Sequence, residues 1–174
     1  MSDTLQFRDL TAQDIECRVA QVTAKGVTLL LYKNARVDMQ ILDETVGPLN
    51  WQRSHSRDNQ NCTVSIWDNN KSQWISKEDT GTESNTEKEK GLASDSFKRA
   101  CFNWGIGREL YTSPFIWVPA EKCNISDYNG KKTCRDKFAV EKILVENKTL
   151  VAVSIINTTK KERCFVWDGR KEKR

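Results

Sequence analysis

The chain has 174 residues, 37% of them hydrophobic and 30% charged, with 28 basic and 24 acidic side chains and a net charge of +4. That length suits one domain with a real core. No apolar run approaches the roughly 20 residues that a membrane-spanning helix needs, so that class is excluded.

The opening residues, Met1 to Leu10, show no basic-then-apolar leader pattern, and a cytoplasmic protein is expected. Residues 160–174 hold seven basic and three acidic side chains, which equals the whole net charge. The remainder is neutral, so an anion-binding groove there requires a fold that sorts the charges. The basic stretch reads as a solvated end, or as a tail adding non-specific phosphate attraction. Six cysteines and one histidine, His55, show no Cys-x-x-Cys pair and no structural zinc spacing. Cys123 and Cys134 flank a polar loop, and spacing alone does not decide whether they pair.

In chain order, Ile15, Val19 and Val22 recur at three- and four-residue steps after Thr11, and Gly26 follows Lys25. With Asp14 at capping-box spacing from Thr11, this predicts an N-terminal helix. Val27 to Tyr32 is apolar or β-branched almost throughout and predicts a buried strand. Asn34 to Thr45 predicts a second helix with a stripe of Val37, Ile41 and Leu42, ended by Gly47-Pro48. Lys33 and Arg36 stand at its N-terminal end, where a cation opposes the helix dipole by a few tenths of a kcal/mol. A bound phosphate offsets that cost; a solvated surface pair is the simpler reading.

Leu49 to Arg57, Asn61 to Trp67 and Gln73 to Thr80 predict an antiparallel meander with turns at Asp58-Asn59 and Asp68-Asn69-Asn70. Its rings, Trp51, Trp67 and Trp74, suit either a core or a stacking platform for unpaired bases, at about 1–3 kcal/mol per base. Capping boxes at Ser84/Glu87 and Thr86/Glu89 start a long helix that runs to about Trp104. Ala93, Phe97, Ala100, Cys101 and Trp104 share the face expected to pack on the meander. Lys98 and Arg99 flank that face, and Lys88 and Lys90 lie on the first two turns. Adjacent cations on a half-buried helix suit a phosphate backbone better than bulk water.

Gly105 and Gly107 stop the helix, and Phe115 to Val118 predicts a short strand. Pro119 to Lys137 reads as a long polar loop. Lys142 to Val145, Thr149 to Ile156 and Cys164 to Trp167 read as strands, with turns at Glu146-Asn147-Lys148 and Asn157 to Lys161. The expected fold is α+β: an antiparallel β-meander packed on a long helix, with an N-terminal helix and a C-terminal β extension. The expected division is a DNA-binding core over 1–118 and a β-hairpin extension with a basic tail over 119–174.

No Gly-rich phosphate loop of Walker type is present, which argues against ATP-driven strand exchange. Glu78, Asp79 and Glu83 near a strand end suit a nuclease metal site, though such carboxylates are more simply turn residues. No catalytic or metal-binding residue is assigned, and a binding protein rather than an enzyme is expected.

The segment from Glu87 to Tyr111 resembles the core of the Rad-fifty-two family of single-strand annealing proteins, which includes phage Sak-type recombinases. The matching residues are Lys88, Lys90, Ala93, Asp95, Lys98, Arg99, Ala100 and Trp104-Gly105. Asp14 to Val19, Asn34 to Val37 and Gly47 to Trp51 resemble the family's opening helix, second helix and first hairpin strand, in that order. The likeness spans residues 11 to 118, about two-thirds of the chain. It implies a β-β-β-α core, assembly into a homo-oligomeric ring or filament, and no nucleotide cofactor. It also implies that Arg36, Lys98 and Arg99 grip a DNA backbone; Lys33, Arg53, Lys88 and Lys90 are expected as outer contacts. Phe102 stands where relatives often carry another basic residue. The expectation is an ATP-independent protein that binds and anneals single-stranded DNA in recombination or repair, beside an exonuclease and a single-strand binding protein. The alternatives are a single-strand nucleic-acid binding module without annealing activity, and a metal-dependent nuclease.

Overall fold

Antiparallel β-structure dominates the chain. A computed structural model describes residues 4–82 and 88–171, with the backbone alone for 88–90. In chain order the elements are β1 (Glu16–Thr23), β2 (Gly26–Tyr32), α1 (Ala35–Val46), β3 (Trp51–Ser56), β4 (Asn61–Asp68), β5 (Gln73–Thr80) and α2 (Lys88–Trp104). There follow β6 (Ile116–Pro119), β7 (Ile125–Tyr128), β8 (Lys131–Cys134), β9 (Phe138–Glu146), β10 (Thr149–Asn157) and β11 (Glu162–Asp168). The largest sheet has six strands in the order β11-β10-β9-β1-β2-β6, and its end strands β6 and β11 approach each other, so that it curls almost into a barrel. This overturns the expected α+β architecture of a β-β-β-α core with an N-terminal helix and a C-terminal β extension.

The main error lies at the start of the chain. Thr11 does cap, with its N–H and Oγ1 on Asp14 Oδ2 at 2.7 and 2.9 Å, but the turn it caps is a 3-10 turn of three residues. Residues 16–23 are strand β1. Cys17, Val19, Val22 and Thr23 are its half-covered positions, and a bulge between Val19 and Gln21 shifts the register against β2 by one residue. A bulge inside a period-two pattern creates a three-residue step. That step imitates helical spacing, and the pairing of β1 with β2 decides against a helix.

The chain divides into two units. The first holds Met1–Asp9 and Asn34–Gly107; the second holds Leu10–Lys33 and Arg108–Arg174. The expected halves, 1–118 and 119–174, do not follow this division. Its cause is the pairing of β2 with β6, in register from Gly26 opposite Pro119 to Leu29 opposite Ile116. Residues 34–107 are thus an insertion between two strands of one sheet.

Each unit has its own core. In the first, Ile41 and Leu42 of α1, Cys62, Val64 and Ile66 of β4, and Phe97, Ala100 and Cys101 of α2 are buried. In the second, Val27, Leu29, Ile116, Val118, Leu150, Val153 and Ile155 are buried. Each large aliphatic or aromatic side chain so buried contributes about 1.5–3 kcal/mol. None of the six cysteines is in a disulfide, Cys123 and Cys134 included. Burial pushes Cys17 up to about 12 and Cys62, Cys123 and Cys164 up to about 11.

Two further expectations change within the second unit. The polar stretch 119–137 is folded: β7 and β8 pair from Ile125 opposite Cys134 to Tyr128 opposite Lys131. Asn129 (φ 50°) and Gly130 (φ 74°) close this hairpin in the left-handed geometry of a two-residue type I′ turn, for which Asn-Gly is the strongest signal. The basic stretch from residue 160 is for the most part not a tail, because Glu162–Asp168 forms β11.

Candidate nucleic-acid interface

Along β4 alternate side chains point to opposite faces of the sheet β3-β4-β5. Cys62, Val64 and Ile66 share one face, and the buried stripe of α2 packs there: Trp104 Nε1 donates to the Val64 carbonyl at 3.0 Å. Gly81 sets how closely the chain passes α2. A Cβ at this position would lie 2.6 Å from the Ser96 backbone N, a distance no side chain tolerates. At the other end of α2, Lys77 from β5 donates to the Asn103 carbonyl at 2.7 Å and lies 4.7 Å over the Trp104 ring. A cation thereby meets the negative end of the helix.

This scaffold holds four of the expected DNA-binding residues in the first unit. Arg36 is exposed in the first turn of α1, and its backbone N–H donates to the capping Asn34 Oδ1 at 2.9 Å. Helix α1 packs against α2. Lys98 is half-buried on α2. Arg99 is 39% exposed, with Nε 3.2 Å from Asp95 Oδ2 one turn earlier. Arg53 of β3 is exposed and lies 4.6 Å over the Phe97 ring, next in sequence to Lys98. The cation–π contact fixes the guanidinium on the apolar stem of the helix while leaving its edge open to solvent.

Three expected residues fare differently. Lys33 is only 1% exposed and belongs to the second unit, so its ammonium is not presented to a phosphate. Lys88 and Lys90 lie in the first turn of α2, and their side chains fall outside the described residues. The capping boxes around Ser84 and Thr86 fall outside them as well.

The tryptophans are engaged with protein rings. Trp51 stacks on Phe97 at 6.1 Å, and Trp67 meets Trp74 edge-on at 5.5 Å. The face of the meander away from α2 carries the Trp67–Trp74 pair at one end and is otherwise polar and self-bonded: Ser65 with Ser76 at 2.8 Å, and Asn61 and Thr63 on Glu78 at 2.9 and 2.8 Å. Glu78 and Asp79 are consecutive in β5 and therefore point to opposite faces, so they do not converge on one ion. Glu83 lies outside the described residues. Next to Arg53, His55 contacts Ser96 Oγ at 3.4 Å; burial, then the Arg53 charge, push its imidazole below the ordinary value.

Charge is divided unevenly between the units. The first holds 10 basic and 13 acidic residues, the second 18 basic and 11 acidic, so the surplus of positive charge lies in the second. Sequence order hides this, because residues 10–33 and 108–174 are far apart in the chain and are joined by the pairing of β1 with β9 and of β2 with β6. Comparison with protein-family models, curated proteins and solved structures finds no match.

Proposed function

We propose that this protein binds single-stranded DNA and anneals complementary strands without ATP, acting as a homo-oligomer. The observation that supports the reading is that the first unit carries Arg53 over the Phe97 ring of α2, Lys98 and Arg99 part-exposed on α2 itself, and Arg36 exposed on the helix packed against α2. Annealing makes no covalent bond. Its barrier is the mutual repulsion of two phosphate chains, and cations that neutralise phosphates lower it and make binding salt-dependent. A backbone held on guanidinium and ammonium groups leaves the Watson-Crick edges free to sample a partner strand. Repetition of one modest site around a ring or along a filament supplies affinity through avidity.

The test is a fluorescence-transfer assay with two complementary oligonucleotides, alongside light scattering on the eluting protein. The expected result is accelerated pairing by a large assembly, lost in the double variant K98A/R99A. The pair Arg99–Asp95 is half-exposed and contributes little to stability, so that variant keeps its fold. Unchanged pairing in the folded double variant sinks the assignment; binding without accelerated pairing reduces the protein to a plain single-strand binding module.

A further inference from the structure

We propose that the β7–β8 hairpin and the adjoining β10–β11 turn form a second contact for single-stranded DNA, in which Tyr128 stacks on a base and Lys131, Arg135, Lys137 and Lys161 follow the phosphates. The inference rests on the reading above for its polymer and shares no residue with it.

A buried hydrogen-bond hub brings this cluster together. Asn157 closes β10 and is fully buried; its Nδ2 donates to the Lys122 carbonyl at 3.0 Å and to Asp136 Oδ2 at 2.7 Å. Asp136 also accepts from the Asn124 N–H and amide at 2.8 and 2.9 Å, which ties the base of the hairpin to the same point. The backbone N–H groups of Thr159 and Lys160 donate to Asn157 Oδ1, both at 3.1 Å. The Lys137 carbonyl accepts from the Thr158 N–H at 2.8 Å, and the Lys137 N–H donates to Thr159 Oγ1 at 2.9 Å. The turn that carries Lys161 and the strand end that carries Lys137 are therefore locked side by side.

Within that frame the charges sort by partner. Lys132 is taken by Asp127 at 2.7 Å, Lys160 lies 3.5 Å from Glu162, and Arg163 makes a two-point pair with Glu141. Lys131, Lys137 and Lys161 are exposed and have no carboxylate partner among the described residues, and Arg135 lies 5.7 Å over the Tyr128 ring. Glu121, exposed nearby, and the buried Asp136 of the hub lie outside those pairs, and the Glu121 carbonyl accepts from Lys160 at 2.7 Å. Tyr128 is 58% exposed at the hairpin tip. An aromatic ring held out in water among unpaired cations on a short ordered ribbon suits a polymer that offers flat faces and phosphates in alternation. A folded acidic protein surface would use the cations but leave the ring unexplained.

The experiment is fluorescence anisotropy on the full chain with a labelled oligothymidine and with an abasic strand of equal length, each over a salt series. Y128A is expected to weaken oligothymidine binding roughly 5- to 150-fold, the equivalent of one stacked base, and to leave abasic binding unchanged. Y128F is expected to restore wild-type affinity. K131A/K137A/K161A is expected to weaken both ligands and to lower the slope of log affinity against log salt by about 2, at roughly 0.7 per phosphate. Equal losses on the two ligands in Y128A overturn the stacking role, and an unchanged slope in the triple variant overturns the phosphate role. If the wild-type chain binds oligothymidine while all these variants bind as it does, only this inference falls; if the wild-type chain binds no single strand at low salt, the proposed function falls first.

Discussion

The Asn157 side chain donates to the Asp136 carboxylate at 2.7 Å, and neither residue is exposed beyond 8%. Sequence reading places Asn157 at the start of a turn and Asp136 in a long polar loop, and gives neither a partner. Together they hold the base of the β7–β8 hairpin beside the β10–β11 turn.

Removing that amide is expected to be costly. Asn157→Ala strips a donor from Asp136 and from the Lys122 carbonyl, and an acceptor from two backbone N–H groups. At roughly 1–3 kcal/mol per buried group left unpaired, a loss of about 3 kcal/mol is expected, read by urea denaturation. A change under about 0.5 kcal/mol would show that water replaces the amide without loss.

The same hub predicts a pH dependence. Burial opposes ionisation of Asp136, but hydrogen bonds from Asn157 and Asn124 outweigh it and hold the carboxyl below the usual 3.8, with Lys160 adding its charge. A carboxyl lower in the folded than in the unfolded state adds stability that is complete above the unfolded value and is lost as pH falls through the folded one. Thermal midpoints are therefore expected to fall between about pH 4 and more acidic conditions, with a shallower decline in Asp136→Asn. Parallel declines in the two proteins would remove Asp136 from the account.

Lys77 is expected to matter for stability and not for DNA. Its ammonium binds the Asn103 carbonyl at the end of α2 and lies over Trp104. Lys77→Met keeps the stem and loses both contacts, at about 1–2 kcal/mol. Urea melts should shift accordingly while oligonucleotide affinity stays within twofold; a tenfold loss of affinity would make Lys77 part of the interface.

Gly81→Ala tests whether the position of α2 carries function. The added Cβ would strike the Ser96 N and the Leu92 carbonyl, both backbone atoms, so the helix has to shift. A cost of about 1–3 kcal/mol is expected, together with slower strand pairing, because Lys98 and Arg99 move with the helix. Full pairing activity in the destabilised variant would separate the helix from the activity.

Local patterns were read well wherever the chemistry was local. Helix α1 lies within a residue of the expected 34–45, with Asn34 as its cap, and Gly47 follows its last residue, as the glycine signal predicted. The strands β4 and β5 start where alternation and turn residues placed them, and α2 ends at Trp104 before Gly105. Reading failed where a distant partner decided the outcome. The bulge in β1 is written by its pairing with β2, and the folded state of residues 125–134 was signalled by an Asn-Gly pair that went unused. Lys33 looked like a helix-end cation beside Arg36, yet one lies buried and the other faces water.

By itself the amino-acid order determined caps, turns and the spacing of apolar faces, because these depend on atoms a few residues apart. Only the tertiary structure decided that β2 pairs with β6 across an insertion, that positive charge collects in one unit, and that Asn157 finds Asp136. The physical reason is that strand partners and buried polar pairs are chosen by which distant groups satisfy each other once water is expelled, and linear spacing carries no record of that choice.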